Sequence, residues 1–267
     1  QFNEITSNLD IYYVNVNNGF DKVLFDSSRF RTGDFNGDGL TDFYKVTGWG
    51  NISEKDDIYL SRGDGRFIKA NNSNLETKIR QQSAGNYDAP NFDISRIQFG
   101  DFNSDGKTDI FIFGSEGSSI HTIWFSKGDG SFEEKLADFP NPITLSSVTK
   151  DAALDLSRLK LVDFNGDGRT DIYRVIGSGS SERDEIYLSN GDGSFIKQTT
   201  NFSTQVSAAN KDASFDLARI KFADFNGDGL KDVCWTNGGS DSEQAVETDT
   251  IHLSSGTSGN RINNFIN

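Results

Sequence analysis

In 267 residues the chain has one cysteine, two histidines and no methionine, and each shortage removes a class of reading. A lone Cys234 excludes an intrachain disulfide, and within the predicted strand Asp232-Val-Cys-Trp it reads as a packing residue. One cysteine and two histidines do not suffice for a zinc cluster. His121 and His252 lie in no Ser-His-Asp spacing and no GxSxG turn is present, so nucleophilic catalysis has no constellation to rest on. No apolar run approaches the roughly 20 residues of a membrane-spanning helix. Positive charge is also short: 26 Lys and Arg against 40 Asp and Glu leave −14, which speaks against nucleic acid or an anionic membrane as partner. Absent methionine and an initial Gln1 suit a processed N-terminus. With the sequons at Asn51, Asn71 and Asn201, the expectation is a secreted protein.

What is present is a repeat. The pattern D-F-N-x-D-G-x-x-D occurs at 34–42, 101–109, 163–171 and 224–232, with starts 67, 62 and 61 residues apart. Oxygen-bearing side chains at positions 1, 3 and 5 of a tight loop converge on one point, as a hard cation with six to eight oxygen ligands requires. Glycine at position 6 permits the sharp turn, position 7 offers its backbone carbonyl, and the Asp at position 9 closes the shell. The predicted ligand sets are Asp34, Asn36, Asp38, Leu40 (carbonyl) and Asp42; Asp101, Asn103, Asp105, Lys107 (carbonyl) and Asp109; Asp163, Asn165, Asp167, Arg169 (carbonyl) and Asp171; Asp224, Asn226, Asp228, Leu230 (carbonyl) and Asp232. These are not EF-hands, which need a bidentate Glu at position 12, where this chain has Lys45, Ile112, Arg174 and Trp235. The alternative is an Asx-rich turn without metal. Twelve carboxylates crowded three to a loop repel one another, so about four Ca²⁺ ions are expected, and they would bring the net charge to −6.

The recurrence extends past the loops. Arg29, Arg96, Arg158 and Arg219 stand five residues before each loop, and Asp26, Asp93, Asp155 and Asp216 three residues before each Arg. A short alternating strand leads into each loop and a second follows it. A third strand begins near Asp57, Thr122, Glu185 and Thr250, and three of these run into a Gly-Asp-Gly-x-Phe turn typical of a tight hairpin. Four short antiparallel strands per repeat of about 60 residues, without helical period, predict an all-β fold: a β-propeller of four-stranded blades. The blades are placed at 26–92, 93–154, 155–215 and 216–265 of a single domain, with 1–25, including Ile11–Phe20, as closing strands. Five blades, or an open array closed by a second chain in a homo-oligomer, are the alternatives.

The D-x-N-x-D-G-x-x-D loop between the first two strands of a blade resembles the FG-GAP/VCBS repeats of integrin α-subunit propellers and of calcium-containing mushroom lectins of the Psathyrella velutina type. The resemblance covers roughly residues 26–256. It implies a calcium-bearing propeller that binds proteins or glycans, and some polysaccharide lyases resemble the same class.

Antiparallel order puts the 1–2 loops and 3–4 turns of a blade on one face. The 2–3 loops (47–56, 114–121, 176–184, 237–249) and the 4–1 linkers (71–92, 136–154, 199–215) fall on the other, where recognition is expected. Trp49, in a Gly-rich loop, is a candidate for sugar stacking or surface packing. Tyr59, Trp124, Tyr187 and His252 share one third-strand position, as core between blades or as an aromatic ligand wall. The Asp/Arg pairs read as structural ion pairs that clamp the first strand. Arg31, Lys160 and Lys221 share a first-strand position, as edge protection or as positive charge near the axis. The reading is a secreted, non-enzymatic, calcium-stabilised lectin for glycans or glycoproteins. An integrin-like protein adhesion module is the alternative and a polysaccharide-degrading enzyme the third.

Overall fold

On either side of each Asp-rich loop, apolar or aromatic residues alternate with polar ones, and in extended backbone alternate residues share a face. The structure, a computed structural model, describes residues 8–9, 29–48, 54–77, 93–146, 155–176, 183–204, 217–236, 249–257 and 262–266. Blade 1 consists of β1 (Phe30–Gly33), β2 (Asp42–Lys45), β3 (Asp57–Ser61) and β4 (Phe67–Lys69). Blade 2 consists of β5 (Ile97–Gly100), β6 (Asp109–Ile112), β7 (Thr122–Ser126) and β8 (Phe132–Leu136). Blade 3 consists of β9 (Leu159–Val162), β10 (Asp171–Arg174), β11 (Glu185–Ser189) and β12 (Phe195–Thr199). Blade 4 consists of β13 (Ile220–Ala223), β14 (Asp232–Trp235), β15 (Thr250–Thr257) and β16 (Ile262–Ile266).

Within each sheet the strands neighbour one another in chain order. The chain is all-β, with four blades of the β-propeller kind. Among the described residues, α-helix is confined to single turns at 93–95, 155–157 and 217–218, just before a first strand. The register repeats as the sequence does: Gly33 opposes Asp42, Gly100 Asp109, Val162 Asp171, and Ala223 Asp232. Every Asp-rich loop therefore bridges the first hairpin of its blade from the same two rungs.

The chain divides into two compact units: residues 1–101, 105–115 and 121–135, and residues 102–104, 116–120 and 136–267. Each has a core laid between consecutive blades. In the first, Phe35, Tyr44, Ile58 and Leu75 of blade 1 pack with Ile97, Ile110 and Phe132 of blade 2. In the second, Phe164, Tyr173, Ile186 and Leu188 of blade 3 pack with Ile220, Val233 and Trp235 of blade 4. The position-2 Phe of the loop joins the sheets: Phe35 meets Phe99 and Phe132 edge-on at 5.9 and 6.2 Å, and Phe164 meets Phe222 at 5.6 Å. A four-stranded sheet has two faces, and neighbouring sheets bury them for one another.

The strand beside β15 is β16, from residues 262–266. Ile11–Phe20 and most of the expected closing segment lie outside the described residues. Asn8, which is described, is hydrogen-bonded in both directions to Phe67 of blade 1.

Candidate metal loops and the opposite face

The four loops adopt one conformation, set by backbone needs. Position 6 has φ of 80°, 80°, 84° and 86° at Gly39, Gly106, Gly168 and Gly229, as the motif demands. Position 4 is left-handed too, at Gly37, Ser104, Gly166 and Gly227, a requirement the motif did not reveal. The position-1 Asp gathers the N–H groups this winding exposes. Asp34 Oδ1 accepts from Gly37 N at 2.7 Å and its Oδ2 from Gly39 N at 2.8 Å. Asp163 and Asp224 do the same with Gly166 and Gly168, and with Gly227 and Gly229. The Gly229 N–H, foremost among several, holds the Asp224 carboxyl below its ordinary range.

Positions 3, 5 and 7 interlock. Asn36 Oδ1 accepts from Asp38 N, its Nδ2 donates to Asp38 Oδ2, and Asp38 Oδ1 accepts from Leu40 N. Asn165–Asp167–Arg169 and Asn226–Asp228–Leu230 repeat this. In the second loop Asp105 Oδ1 accepts from Lys107 N. Two position-7 residues add a cation: Lys107 Nζ lies 2.7 Å from Asp105 Oδ2, and Arg169 pairs with Asp167.

Position 9 differs in kind, because it is buried. Asp42 Oδ2 accepts from Phe35 N and Oδ1 from Ser61 N, and thereby ties the loop to the third strand. Asp171 (to Phe164 and Ser189) and Asp232 (to Phe225 and Ser254) repeat both bonds, and Asp109 takes Ser126 N. Burial raises the Asp42 carboxyl and pushes that of Asp171 up to about 8, against the pull of those N–H donors. The side chains at positions 1, 3, 5 and 9 all offer oxygens, which suits a hard cation, yet these are turned onto N–H groups of the loop and, at position 9, of the third strand as well. Among the described residues, no group of three His, Cys, Asp or Glu converges as a metal cluster.

The two-faced arrangement expected from strand order is present. Gly-Asp-Gly turns sit against the loops: a Cβ on Gly63 would meet Leu40, one on Gly128 Lys107, and one on Gly191 Arg169. On the other face, 2–3 connections bond to 4–1 segments. Asp56 N donates to Leu75 O, Asp184 N to Phe202 O, Gly117 N to Leu145 O and Ser146 O, and Leu145 N to Ser118 O. Ile120, 68 % exposed, is carried on one of these tied connections.

The aromatic candidates on the third strand are packing groups. Tyr59 is 5 % exposed and donates to Asp57; Tyr187 is 0 % exposed, donates to Glu185 and meets Phe139 edge-on. His252 is buried and stacked on Phe202 at 3.7 Å. Trp124 is partly buried against the core of the first unit. None lines an exposed wall, and Trp49 lies outside the described residues. Asn71 and Asn201 are exposed, while Asn51 lies outside the described residues.

Each repeated Arg caps the end of its blade's second strand. Arg29 Nη1 donates to Val46 O, Arg96 Nε to Phe113 O, Arg158 Nη1 to Ile176 O, and Arg219 to Thr236 O. The expected Asp partner appears at Asp93, 3.7 Å from Arg96; Asp155 Oδ2 accepts from Ser146 N, and Asp26 and Asp216 lie outside the described residues. Burial first, and Lys221 second, pushes the Lys160 ammonium below its ordinary range.

A buried polar knot in blades 1 to 3 escaped the sequence reading. Asp56 Oδ2 accepts from Tyr44 OH, Thr77 N and Thr77 Oγ1, and its Oδ1 from Thr47 N. Asp184 repeats this with Tyr173, Thr204 and Ile176 N. In blade 2 the equivalent residue is His121, whose Nδ1 accepts from Gly114 N at 2.9 Å while Phe111 replaces the tyrosine. An accepting Nδ1 is unprotonated, so the neutral ring carries its proton on Nε2. In blades 1 and 3 the signal was legible as a Tyr two residues past the last loop Asp, Tyr44 and Tyr173, paired with an Asp just before the third strand, Asp56 and Asp184.

Among known families, the sequence model of the FG-GAP-like repeat matches residues 34–112, 101–173 and 163–235, each match running from one loop past the next. A T-cell immunomodulatory protein homolog of Plasmodium yoelii yoelii is 25 % identical over 198 residues, 68 % of this chain and 26 % of that protein. The chain thus spans about a quarter of that relative's length. A solved structure of the Photorhabdus luminescens Tc holotoxin pore is similar over 79 % of this chain and 8 % of that one, at 21 % identity and a TM-score of 0.46. No helix among the described residues is long and apolar enough to cross a membrane.

Proposed function

We propose that this chain, which belongs to the FG-GAP-like repeat family, serves as an adhesion-type binding module that recognises a protein partner on the face opposite its Asp-rich loops. The observation that carries this is the tying of that face: connections of unequal sequence, such as 114–121 and 142–146, are joined by backbone hydrogen bonds around an exposed Ile120. Different connections on similar blades make one composite surface, which suits a protein ligand. Repeated sugar sites would call for repeated exposed aromatics, and the third-strand aromatics are spent on packing. The relative named for immunomodulation fits an extracellular setting.

We propose further that the four loops hold Ca²⁺ through Asp, Asn and position-7 carbonyl oxygens, with the side chains at positions 3 and 5 swinging from N–H groups to the ion. Calcium would supply a clasp between first and second strands, away from the recognition face.

The test is binding to intact cells, before and after surface proteolysis and before and after enzymatic deglycosylation. The expected result is loss of binding on proteolysis and retention on deglycosylation, with Ile120→Ser weakening it by about tenfold. Binding that survives proteolysis and vanishes on deglycosylation would replace this reading by the lectin.

A further inference from the structure

The first two Asp-rich loops are bonded to each other through residues that would hold their ions. Asp34, position 1 of the first loop, donates its backbone N–H to Thr108 Oγ1 at 2.9 Å. Its carbonyl accepts from Thr108 N at 2.6 Å. Thr108 is position 8 of the second loop, between the carbonyl ligand Lys107 and the closing ligand Asp109. The approach needs a residue without a side chain just before the first loop, because a Cβ on Gly33 would fall 2.7 Å from Thr108 Cγ2. Ser126 makes a second bridge. Its hydroxyl donates to Phe35 O of the first loop at 2.6 Å, and its N–H donates to Asp109 Oδ1 of the second at 2.8 Å. Position 4 makes a third contact, since a Cβ on Gly37 would meet Lys107 Cγ at 3.1 Å.

The fourth loop is built otherwise. Its position 8 is Lys231, which has no hydroxyl to accept with. Ser254, the counterpart of Ser126, donates both its N–H and its hydroxyl to Asp232 of its own blade, at 2.8 and 3.1 Å. The serine bridge recurs at Ser189, which donates to Phe102 O and Asp171 Oδ1. Among the described residues, the reciprocal Asp–Thr pair of bonds occurs at Asp34 and Thr108 only.

We infer that the first and second loops bind Ca²⁺ as a positively coupled pair, with Thr108 as the positioning residue between them and the fourth loop outside the coupling. The inference rests on the calcium reading proposed above. An ion on the first loop fixes Asp34, and Asp34 holds Thr108 by two bonds. Thr108 in turn fixes the Lys107 carbonyl and the Asp109 carboxyl on either side of it. The second ion then meets a loop whose ordering is partly complete, which is positive cooperativity without any change of fold. Such coupling is reciprocal, so the second ion favours the first by the same factor.

Calcium titration of the full chain followed by amide NMR tests this. Each loop reports through its position-6 glycine, whose N–H donates to the position-1 carboxylate at Gly39, Gly106 and Gly229. Asp38→Ala removes a ligand of the first loop. It should weaken calcium binding at the second loop at least about fivefold, read at Gly106, and leave the fourth unchanged, read at Gly229. Thr108→Val keeps the side-chain shape and loses the hydroxyl, and should lower that factor at least about twofold. Thr108→Ser keeps the hydroxyl and should retain it. Peak dispersion in the calcium-free spectra verifies that each variant is folded, and Asp38→Ala alone decides whether the loops are coupled. A second loop indifferent to Asp38→Ala overturns the inference and leaves calcium in the loops, as does a factor that Thr108→Val does not diminish. A fourth loop weakened as much as the second overturns it too, because the effect is then general destabilisation. Glycine signals that do not move with calcium overturn the calcium reading and this inference together.

Discussion

Gly39 has open space around it and no freedom in φ: a Cβ there would meet nothing within 4 Å, but the backbone sits at +80°. Gly39→Ala should therefore cost about 1 kcal/mol through the backbone alone. At Gly130, φ is +85° and a Cβ would fall 2.3 Å from the Ala70 Cβ, so Gly130→Ala should cost clearly more. Urea unfolding of the two variants separates them, and equal losses would contradict the assignment. Asp56 is constrained differently, since both of its oxygens receive fixed backbone donors, Thr47 N and Thr77 N. Asp56→Asn must set an amide NH₂ against one of them and should lose about 2–3 kcal/mol. The same residue gives a pH dependence. Burial raises its carboxyl to about 6 in the fold, against an ordinary 3.8. The folded state thus holds the proton more tightly, and this contribution to stability is complete below about pH 4 and falls away as pH rises to about 6. Comparing wild type with Asp56→Asn at pH 4 and pH 7 should show the advantage of Asp56 shrinking with pH.

At the scale of the element, the hairpin and its loop are cross-braced by serines on the third strand. Ser126 and Ser189 each donate across to a neighbouring loop carbonyl and accept from a turn glycine. Ser126→Ala and Ser189→Ala should each cost about 1–2 kcal/mol, because a buried carbonyl loses its donor. Ser61→Ala, which removes no such donation, should cost less in the isolated chain, and denaturant midpoints decide. The loops also differ among themselves. Lys107 and Arg169 place a cation on the position-5 carboxylate, where Leu40 and Leu230 place none. Lys107→Leu should therefore tighten calcium binding at the second loop, measured by titration calorimetry, and an unchanged affinity would place the ion elsewhere.

For the whole molecule, a cation held by the folded loops and not by the disordered chain stabilises by mass action. The melting temperature is expected to rise with Ca²⁺ concentration, fall on adding a chelator, and respond less in Asp228→Ala. A melting curve indifferent to both would remove calcium from the loops. Stability of this kind fits a scaffold whose work is done elsewhere. The knots of Asp56, His121 and Asp184 tie the second strands of blades 1 to 3 to the connections on the opposite face, so the Asp-rich loops and those connections share the same strands.

Much of the local chemistry was legible in the sequence, though the left-handed position 4 and the Tyr44–Asp56 and Tyr173–Asp184 bonds escaped the reading. Four Asp-Phe-Asn-x-Asp-Gly-x-x-Asp runs determined the loops, and alternation around them determined the strands, because positive φ and period-two burial depend on neighbours a few residues apart. The register fixing Gly33 opposite Asp42 in blade 1 and Ala223 opposite Asp232 in blade 4 follows from loop length alone. Burial could not be read that way. Phe35 and Phe225 stand in the same motif with the same local bonds, yet Phe35 is buried against Phe99 and Phe132 of the next sheet while Phe225 is 46 % exposed. Tyr59 and Tyr187 were likewise open to two readings, core between blades or ligand wall, and only their burial, with Phe139 edge-on against Tyr187, makes them packing groups. Sequence fixes what each residue can bond to within its own hairpin; tertiary structure decides which faces remain in water, because a sheet buries its surface only against another sheet.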